Sequence, residues 1–450
     1  MALLGCATAS PSQRPVDVLF VHANFPGQFA LIAADLARTP RYRVFAIGSQ
    51  TARSLPGVEL ATYEMPASRP RDVHAFAVRF DVEGRRAEEV IYAANSLKLR
   101  GMTPRVIFVH PGWGESLPLR ELFPQARICV YCEFYYRTSG ADVGFDTEFP
   151  QFGVDGLTRI AARNASTLLA LADADAGIAP THWQRATFPV AFQDKIEVIH
   201  DGLDARRLIP GNATFSHPAL AGPLRTGDEV VTYVARGLEP YRGFHSFMRA
   251  LSRVLTARPT AQICVAGSDR VCYGTAPTGH RSWRDMMLAE LDGTPGLDRV
   301  IFLGQLPHAQ YLDLLRVSRV HVYLTYPFVL SWSLLDAMAL GSLVIGSDTA
   351  PVREAITDGE TGLLVPFFEP DQIAARMIEA LVDPERFQAI RVKARESVLN
   401  HYEFETRIKP AYYGLIERLL LAGENPRFVV QDEYSTKADR EGRDSLHEFY

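Results

Sequence analysis

The sequence contains few cysteines and no long apolar run. Five cysteines in 450 residues follow no framework spacing, which excludes a disulfide scaffold and favours a reducing, cytoplasmic compartment. Cys129 and Cys132 have CxxC spacing, but they lie in an apolar run without a second Cys or His pair, so a buried strand is favoured over a zinc or redox site. No run approaches the roughly 20 residues that cross a bilayer, and we expect no transmembrane segment.

The sequence also lacks a strong excess of either charge. It has 47 Lys and Arg against 52 Asp and Glu, and 47% of its residues are hydrophobic. This composition is typical of soluble globular proteins, and it excludes a nucleic-acid binder that is basic throughout. Weak peripheral membrane contact would need a local patch such as residues 69–86. We expect residues 1–15 to be a disordered leader, and residues 423–450 to be a mobile charged tail.

Short β-rich runs alternate with segments of helical period almost from end to end. This alternation predicts an α/β fold of two Rossmann-like, doubly wound parallel-sheet domains that face each other across a cleft. The N-terminal domain spans residues 16–205, and the C-terminal domain spans residues 228–400. Between them, residues 206–227 lose periodicity and read as a linker. Residues 401–422 predict a helix that returns to the N-terminal domain, and residues 154–173 predict one long helix.

Functional groups in such sheets are expected in the loops that follow the strands. In the second domain these loops carry four motifs, VARGLEPYRG at 234–243, FLGQL at 302–306, SLLDAMALG at 333–341 and DGETGLLVP at 358–366. The first domain carries three more, VHANFPG at 21–27, VHP at 109–111 and VIHDGLD at 198–204. In order and spacing these motifs resemble the retaining family-4 glycosyltransferases of the GT-B fold, the glycosyl transferases group 1.

The resemblance implies an enzyme that moves a hexose-like sugar from a nucleoside diphosphate, UDP or GDP above all, to an acceptor hydroxyl. The reaction would retain the anomeric configuration and need no metal and no cofactor. The acceptor would be a glycan, a lipid-linked molecule or a protein, and nucleic acid is not an expected partner. Two other interpretations stay open. One is a GT-B-like nucleotide-binding protein without catalysis, and the other is a GT-B epimerase or phosphorylase.

Arg236 and Arg242 flank a turn that directly follows a predicted strand. Two guanidiniums at this position can neutralise the charge that develops on a diphosphate leaving group, although isolated loop arginines are more often simply solvated. The family pattern has four residues between its two cations, with Lys as the second, whereas five residues separate Arg236 from Arg242. Both arginines are predicted catalytic residues, together with His110 at the end of another strand, which matches the family's donor-sugar histidine.

A second set of donor-binding residues begins a predicted helix. Backbone N–H groups at Ser331, Trp332 and Ser333 favour a phosphate, since a helix N-terminus attracts anions. The Trp332 ring either stacks on a sugar face or packs in the core. By resemblance Asp336 holds the ribose hydroxyls. Eight residues earlier, Phe328 stands where the family has its first acidic residue.

The remaining predicted contacts come from glycine turns and polar strand ends. Gly267, Gly304 and Leu306 match positions where family members hold the nucleobase, and Gly27 precedes a helix where donor phosphates would lie. The predicted acceptor-binding residues are Asn24 in the first loop and Glu133, Tyr135 and Tyr136 after a later strand.

Asp173 and Asp175 have the DxD spelling of metal-dependent transferases. They lie between a predicted helix and a predicted strand, so we interpret them as connecting residues and predict no metal site.

Overall fold

The computed structural model describes residues 14–65, 72–149 and 152–422. The predicted tail, nearly all of the predicted leader and residues 66–71 of the basic patch lie outside this part. The chain divides into two compact units. Unit 1 contains Met1–Tyr131, Ala162–Ile178 and Tyr412–Tyr450, and unit 2 contains Cys132–Ala161 and Ala179–Ala411.

The first sheet has seven strands in the order β3-β2-β1-β4-β5-β6-β7. Its strands are β1 Val16–Val21, β2 Tyr42–Ser49, β3 Val58–Tyr63, β4 Pro104–Val109, β5 Arg127–Tyr131, β6 Ala176–Ala179 and β7 Ile196–Val198. The helices along this part of the chain are α1 Ala30–Arg38, α2 Val78–Leu99, α3 Leu119–Leu122, α4 Val154–Ala162, α5 Ala165–Asp173, α6 His182–Thr187 and α7 Val190–Gln193.

The second sheet has six strands in the order β12-β11-β10-β13-β14-β15, and every neighbouring pair is parallel. Its strands are β10 Val230–Gly237, β11 Gln262–Ser268, β12 Val300–Gly304, β13 Val320–Tyr323, β14 Leu343–Ser347 and β15 Leu363–Val365. The helices are α8 Phe244–Ala257, α9 Trp283–Glu290, α10 His308–Val317, α11 Trp332–Ala339, α12 Ala350–Ala355, α13 Pro370–Val382, α14 Gln388–Tyr402 and α15 Lys409–Leu421.

Central strands of both sheets are buried on both faces. Five of the six residues of β1 and all four of β13 are buried, as expected for parallel strands that are covered by helices on each side. A large apolar cluster around Tyr233, Phe244 and Phe247 packs α8 and α13 against the second sheet. The predicted α/β class with two Rossmann-like parallel sheets is therefore confirmed.

Three local features differ from the sequence predictions. The long helix predicted over 154–173 is wrong, because α4 ends at Ala162 and α5 begins at Ala165. Asn164 is the N-cap of α5 but makes no side-chain capping hydrogen bond to that helix. Strand β3 was not predicted. The predicted linker contains a short antiparallel pair, β8 Thr214–Phe215 and β9 Leu224–Arg225.

Residues 140–149, called the strap below, follow β5 in the chain but belong to unit 2. Phe145 of the strap packs on Tyr326, Phe367 and Phe368, with ring centroids 5.1 to 5.3 Å apart. This aromatic contact explains why a segment from the first half of the sequence groups with the second sheet.

None of the helices in the part of the chain that the structure describes combines the length and the apolar character required to cross a membrane.

Candidate functional site

The turn after β10 buries a positive charge. Arg242 is only 5% exposed, and its Nη1 donates to Thr325 Oγ1 at 2.9 Å and to the Val329 carbonyl at 2.8 Å. These acceptors are neutral oxygens. Within the described residues no carboxylate forms an ion pair with Arg242, so its guanidinium has no direct ionic partner there. Such an arrangement is costly unless an anion from outside completes it.

A tyrosine hydroxyl links Arg242 to the start of α11. The Tyr323 hydroxyl accepts from Arg242 Nη1 at 3.3 Å and from the Ser331 N–H at 2.7 Å. Tyr323 is the last residue of β13, so strand β13 holds the two groups together. The structure thus brings two of the predicted donor-site elements, the arginine turn and the helix start, into one place.

Arg236 lies near the end of β10 and is exposed. It shares its surroundings with Arg270 and Arg242, because all three guanidiniums act to lower the pKa of the Cys272 thiol. Burial and the Glu239 carboxylate outweigh them, so the net pKa of Cys272 is raised. Three arginines and one buried carboxylate therefore surround this short loop.

Glu239 holds that loop in place. Its carboxylate is fully buried and accepts from the backbone N–H groups of Cys272, Tyr273 and Gly274 at 2.9 to 3.2 Å. Hydrogen bonds from several backbone donors stabilise a buried carboxylate. The loop after β11 is thereby fixed against the turn that carries both arginines.

Two of the N–H groups at the helix start, those of Ser331 and Ser333, already have acceptors. Ser331 is the N-cap of α11, and its side chain accepts weakly from the Ser333 N–H at 3.4 Å. Its own N–H is taken by Tyr323. Trp332 is 50% exposed, and its indole N–H donates to Asp201 Oδ2 at 2.9 Å. Trp332 is therefore not a core residue, and Asp201 fixes the edge of its ring.

Asp336 lies on the buried side of α11. Its Oδ2 accepts from the Tyr311 hydroxyl at 2.8 Å, and burial raises the pKa of Asp336 to about 6 although this hydrogen bond lowers it. A carboxylate with one oxygen engaged by Tyr311 can accept from a ribose hydroxyl through its other oxygen.

Phe328 fills the position of the family's first acidic residue with an aromatic cluster. Its ring packs edge-on to Phe134 at 4.8 Å, Tyr241 at 5.5 Å and Tyr273 at 5.1 Å. The Arg242 guanidinium lies 5.6 Å from the Phe328 ring centroid. Phe328 therefore stabilises the buried cation through its ring face without cancelling its charge.

The strap supports this region through hydrogen bonds as well. Asp142 Oδ2 accepts from the hydroxyl of Tyr241, the residue that precedes Arg242, at 2.8 Å. Asp146 Oδ2 accepts from the Tyr326 hydroxyl at 2.8 Å. Each contact joins a strap acid to a tyrosine of the second unit, so the strap fixes the arginine turn from one side.

One group of side chains among the described residues has the spacing of a metal site. Asp146, Glu148 and His245 bring their ligand atoms within 4.8 Å of one another. Arg249 binds both oxygens of Glu148 at 2.6 and 2.7 Å, and His245 Nε2 lies 3.1 Å from Asp146 Oδ2. With a guanidinium on one ligand, the group is better described as an ion-pair network that anchors the strap.

The glycines predicted to contact the base have different surroundings. A Cβ on Gly267 would meet the Ala235 carbonyl at 2.4 Å, so packing between β10 and β11 requires glycine there. Gly304 has a φ of +65° with open space around its Cβ position, and partly buried Leu306 packs against a nearby apolar cluster. Only Gly304 leaves room for a ligand.

In unit 1 the loops after β1 and β4 meet at the same sheet edge. His22 and His110 have ring centroids 5.2 Å apart, and Trp113 stacks on His110 at 4.4 Å. Each histidine accepts a backbone N–H at Nδ1, from Asn24 at 2.9 Å and from Gly112 at 3.2 Å. In a neutral ring whose Nδ1 accepts, Nε2 carries the hydrogen and is the donor atom. For His22 that donor already has an acceptor, Gln28 Oε1, at 2.7 Å.

The other predicted residues of this loop surround the histidine pair. A Cβ on Gly27, which has a φ of +47°, would meet the His22 ring at 2.7 Å. Asn24 is exposed, and its Oδ1 accepts from Thr51 Oγ1 at 2.7 Å. The structure therefore brings together His110, Gly27 and Asn24.

The residues predicted to bind the acceptor divide between two environments in unit 2. The Glu133 carbonyl accepts from Gln184 Nε2 at 2.6 Å, and the Tyr135 ring packs 5.8 Å from Phe188. Tyr136 instead packs against the aromatic cluster around Phe328. Tyr136 thus lies with Phe328 rather than with Tyr135.

Asp175 connects strands, as its sequence context predicted. Its oxygens accept from Arg120 at 2.8 Å, Arg127 at 2.7 Å and the Ile128 N–H at 2.9 Å. The Asp173 carbonyl accepts from the same Arg120. These bonds fix the β5 and β6 ends of the first sheet.

Sequence reasoning missed three residues of the site, Tyr323, Glu239 and His22. Glu239 and His22 lie inside quoted motifs, and their polar character next to a strand end was a usable signal. Tyr323 gave no such signal, because a tyrosine at the end of an apolar strand is most often a core residue.

Two family models match the chain. One, described as Glycosyl transferase family 4 group, matches residues 40–208, and the other, described as Glycosyl transferases group 1, matches residues 221–397.

Two curated relatives illustrate the sequence similarity. D-inositol 3-phosphate glycosyltransferase of Nocardia farcinica is 27% identical over 205 residues, which are 45% of this chain and 44% of that protein. Glycogen synthase of Mycobacterium tuberculosis is 26% identical over 212 residues, 47% of this chain and 46% of that protein. The match therefore spans less than half the length of these relatives.

Solved structures share the fold over most of the chain. Sucrose-phosphate synthase of Thermosynechococcus elongatus has a TM-score of 0.66 at 16% identity, covering 91% of this chain and 100% of that one. Anabaena HepE in complex with UDP-glucose has a TM-score of 0.61 at 15% identity, covering 89% and 99%. Because the two matched family ranges take in most strands of both sheets, and because these folds agree, the chain belongs to the group 1 glycosyltransferases of the GT-B fold.

Proposed function

We propose that the chain transfers a sugar from a nucleoside diphosphate to an acceptor hydroxyl with retention of anomeric configuration. The observation that carries this proposal is the buried charge of Arg242, which has no carboxylate partner in the described part of the chain and is linked by Tyr323 to the start of α11. A diphosphate supplies the missing negative charge. UDP and GDP are the favoured carriers. Anabaena HepE, whose fold is similar to that of this chain, has a structure in complex with UDP-glucose.

The chemistry follows from where charge develops. The bond from the sugar's anomeric carbon to the phosphate oxygen breaks, and a bond to the acceptor oxygen forms on the same face. The acceptor hydroxyl loses its proton to the departing diphosphate. Arg242 and the exposed Arg236 stabilise that diphosphate more strongly as its charge grows, which lowers the barrier.

Asp336 and His110 have separate proposed roles. The free oxygen of Asp336 accepts a ribose hydroxyl, and the Nε2–H of His110 donates to a hydroxyl of the transferred sugar. Two arginines and a helix start supply the positive charge that a divalent ion would otherwise provide, so we propose that transfer is independent of metal and of any cofactor.

The test is a panel of UDP-, GDP- and ADP-sugars measured by calorimetry, with and without EDTA. We expect at least one nucleotide sugar to bind, with no effect of EDTA on binding or transfer. Arg242→Gln should lower nucleoside diphosphate affinity at least about 10-fold, since a charge-assisted hydrogen bond contributes about 1.5–3 kcal/mol. Arg281→Gln is the matched control, because Arg281 is 92% exposed. A chain that binds no nucleotide sugar would refute the proposal.

A second candidate function is nucleotide binding without transfer. Phe328 favours it, because the family's first carboxylate is replaced by a ring packed in an aromatic cluster. Tight nucleotide binding with neither sugar transfer nor donor hydrolysis would select this candidate.

The acceptor is proposed by class. A glycan, a lipid-linked molecule or a protein could supply the hydroxyl, and the Nocardia relative's name adds a phosphorylated inositol to the panel. A cytoplasmic location remains part of the proposal. It is supported by the free cysteines among the described residues, of which Cys129, Cys132 and Cys264 are buried.

A further inference from the structure

Tyr323 has an unusual set of neighbours for a buried tyrosine. It is 2% exposed at the end of β13, and its hydroxyl oxygen faces two donors, Arg242 Nη1 at 3.3 Å and the Ser331 N–H at 2.7 Å. Both donors lack lone pairs, because a guanidinium and an amide N–H only donate.

The hydroxyl hydrogen of Tyr323 therefore needs a different acceptor. A phenol has one hydrogen and two lone pairs, and here the lone pairs face the two donors. Among residues 14–65, 72–149 and 152–422, no acceptor takes this hydrogen. A buried donor without an acceptor is unfavourable, so a bound group that accepts this hydrogen would recover free energy.

The surroundings select an anionic acceptor. Arg242 brings a buried positive charge, and α11 begins with Trp332 directly after Ser331, so its N-terminal dipole lies at the same place. A phosphate oxygen accepts hydrogen bonds strongly and carries the opposite charge. A neutral carbonyl would satisfy the hydroxyl but leave the charge of Arg242 unbalanced.

We propose that Tyr323 is a further catalytic residue that donates its hydroxyl hydrogen to a non-bridging oxygen of the donor's diphosphate. This inference rests on the proposed function. The same phosphate group receives the charge of Arg242, and the hydrogen bond from Tyr323 strengthens as the diphosphate leaves and its negative charge grows. Tyr323 thereby joins strand β13, the arginine turn and the helix start in one phosphate site.

Tyr323→Phe removes the hydroxyl and keeps the ring. We expect the variant to bind the nucleoside diphosphate about 10- to 100-fold more weakly and the corresponding nucleoside with unchanged affinity. In transfer assays kcat should fall more than KM rises, because the lost bond is strongest in the transition state. Calorimetry with the diphosphate and the nucleoside measures the difference directly.

Thr325→Val is the matched control, because Tyr323→Phe also removes an acceptor from Arg242. Thr325 accepts from the same Nη1 atom at 2.9 Å, and its hydroxyl is buried. If the effect of Tyr323→Phe came only from releasing Arg242, Thr325→Val would reproduce it. Equal losses of diphosphate affinity in the two variants would overturn the proposal for Tyr323.

The outcomes separate this proposal from the proposed function. A native chain that binds no nucleoside diphosphate refutes the function, whereas a native chain that binds it no better than Tyr323→Phe refutes only the role of Tyr323. If the phenylalanine variant does not fold, a difluorinated tyrosine at position 323 replaces it. Its more acidic hydroxyl should tighten diphosphate binding and leave nucleoside binding unchanged, and an unchanged diphosphate affinity would contradict the proposal.

Discussion

His321 is a buried base whose charge state depends on the fold. It is fully buried in β13, its Nδ1 lies 2.9 Å from Thr232 Oγ1, and burial lowers its pKa from 6.5 to about 3. Between these values the unfolded chain binds a proton that the folded chain does not. The stability from this group is therefore present above pH 6.5 and is lost as pH falls towards 3.

We expect His321→Asn to reduce the acid sensitivity of the protein. Asparagine can still bond to Thr232, but it does not titrate. Between pH 7.5 and pH 5 the variant should lose about 2 kcal/mol less unfolding free energy than the native chain. Denaturant unfolding at both pH values measures this, with exposed His280 replaced by Asn as the control. Parallel pH curves for native chain and variant would count against it.

Asp336 makes the free energy of unfolding depend on pH in the opposite direction to His321. Burial raises its pKa from 3.8 to about 6, so its ionised form is disfavoured in the folded state. The associated stability is complete below pH 3.8 and is lost as pH rises through about 6. Asp336→Asn keeps an acceptor for Tyr311 and should raise the unfolding free energy at pH 8 by up to about 3 kcal/mol.

The same variant tests the proposed ribose contact. Asp336→Asn should bind nucleotides more weakly even though it is more stable, and its stability gain should vanish near pH 4. Replacing the exposed Asp292 by Asn is the matched control. A variant that is stabilised and still binds nucleotides normally would assign Asp336 to packing alone.

At the scale of elements, the strap depends on aromatic packing. Phe145 contacts three aromatic rings of unit 2, and Phe152 just beyond the strap is 50% exposed. We expect Phe145→Ala to cost about 2–4 kcal/mol and to speed proteolysis within residues 140–149. Phe152→Ala should change neither. Equal proteolysis rates for the two variants would show that the strap is held by its hydrogen bonds instead.

Elements with a strong local pattern were predictable from the sequence. Strands β1 and β10 are apolar runs that end in polar turns, and α8 has a regular apolar face, so period and turn residues sufficed. Strand β3 has alternating, partly exposed residues and was missed. The break between α4 and α5 falls at Arg163 and Asn164, inside a continuous helical pattern, where local propensity marks a boundary only weakly.

The site was predictable where residue type reveals chemistry, and less so where burial decides. The position of Arg242 in a turn after a strand was enough to identify it as a candidate. That it forms no ion pair within the described residues depends on tertiary packing, which the sequence does not show. The strap could not be assigned to unit 2, because its aromatic contacts join positions about 180 or more residues apart. No sequence period records such pairings.

At the scale of the whole molecule, the order of the chain and the division into units do not coincide. Unit 1 takes its last segment from residues beyond 411, and unit 2 takes one from residues 132–161. The Tyr412 ring of α15 is fully buried and packs 5.9 Å from Phe108 of β4, and the Tyr413 hydroxyl donates to Asp35 at 2.8 Å. Helix α15 is therefore part of the core of unit 1.

A fragment of residues 1–205 should consequently fail to fold. It corresponds to the predicted leader and N-terminal domain but lacks α15, so Phe108 would lose its cover. We expect weak near-UV circular dichroism and poor dispersion of amide signals in the fragment. A chain ending at residue 422 keeps α15 and serves as the control, which should give native spectra. A well-dispersed spectrum from the fragment would contradict this reasoning.

The interleaving of the two units also limits how this protein can be recombined with its relatives. A hybrid made by joining sequence halves at the linker would combine the strap of one parent with the arginine turn of the other. The contact between Asp142 and Tyr241 would then depend on two unrelated sequences. An exchange of donor specificity must instead move residues 132–161 together with residues 179–411. The segment to exchange is therefore the whole of unit 2 and not one continuous stretch of the chain.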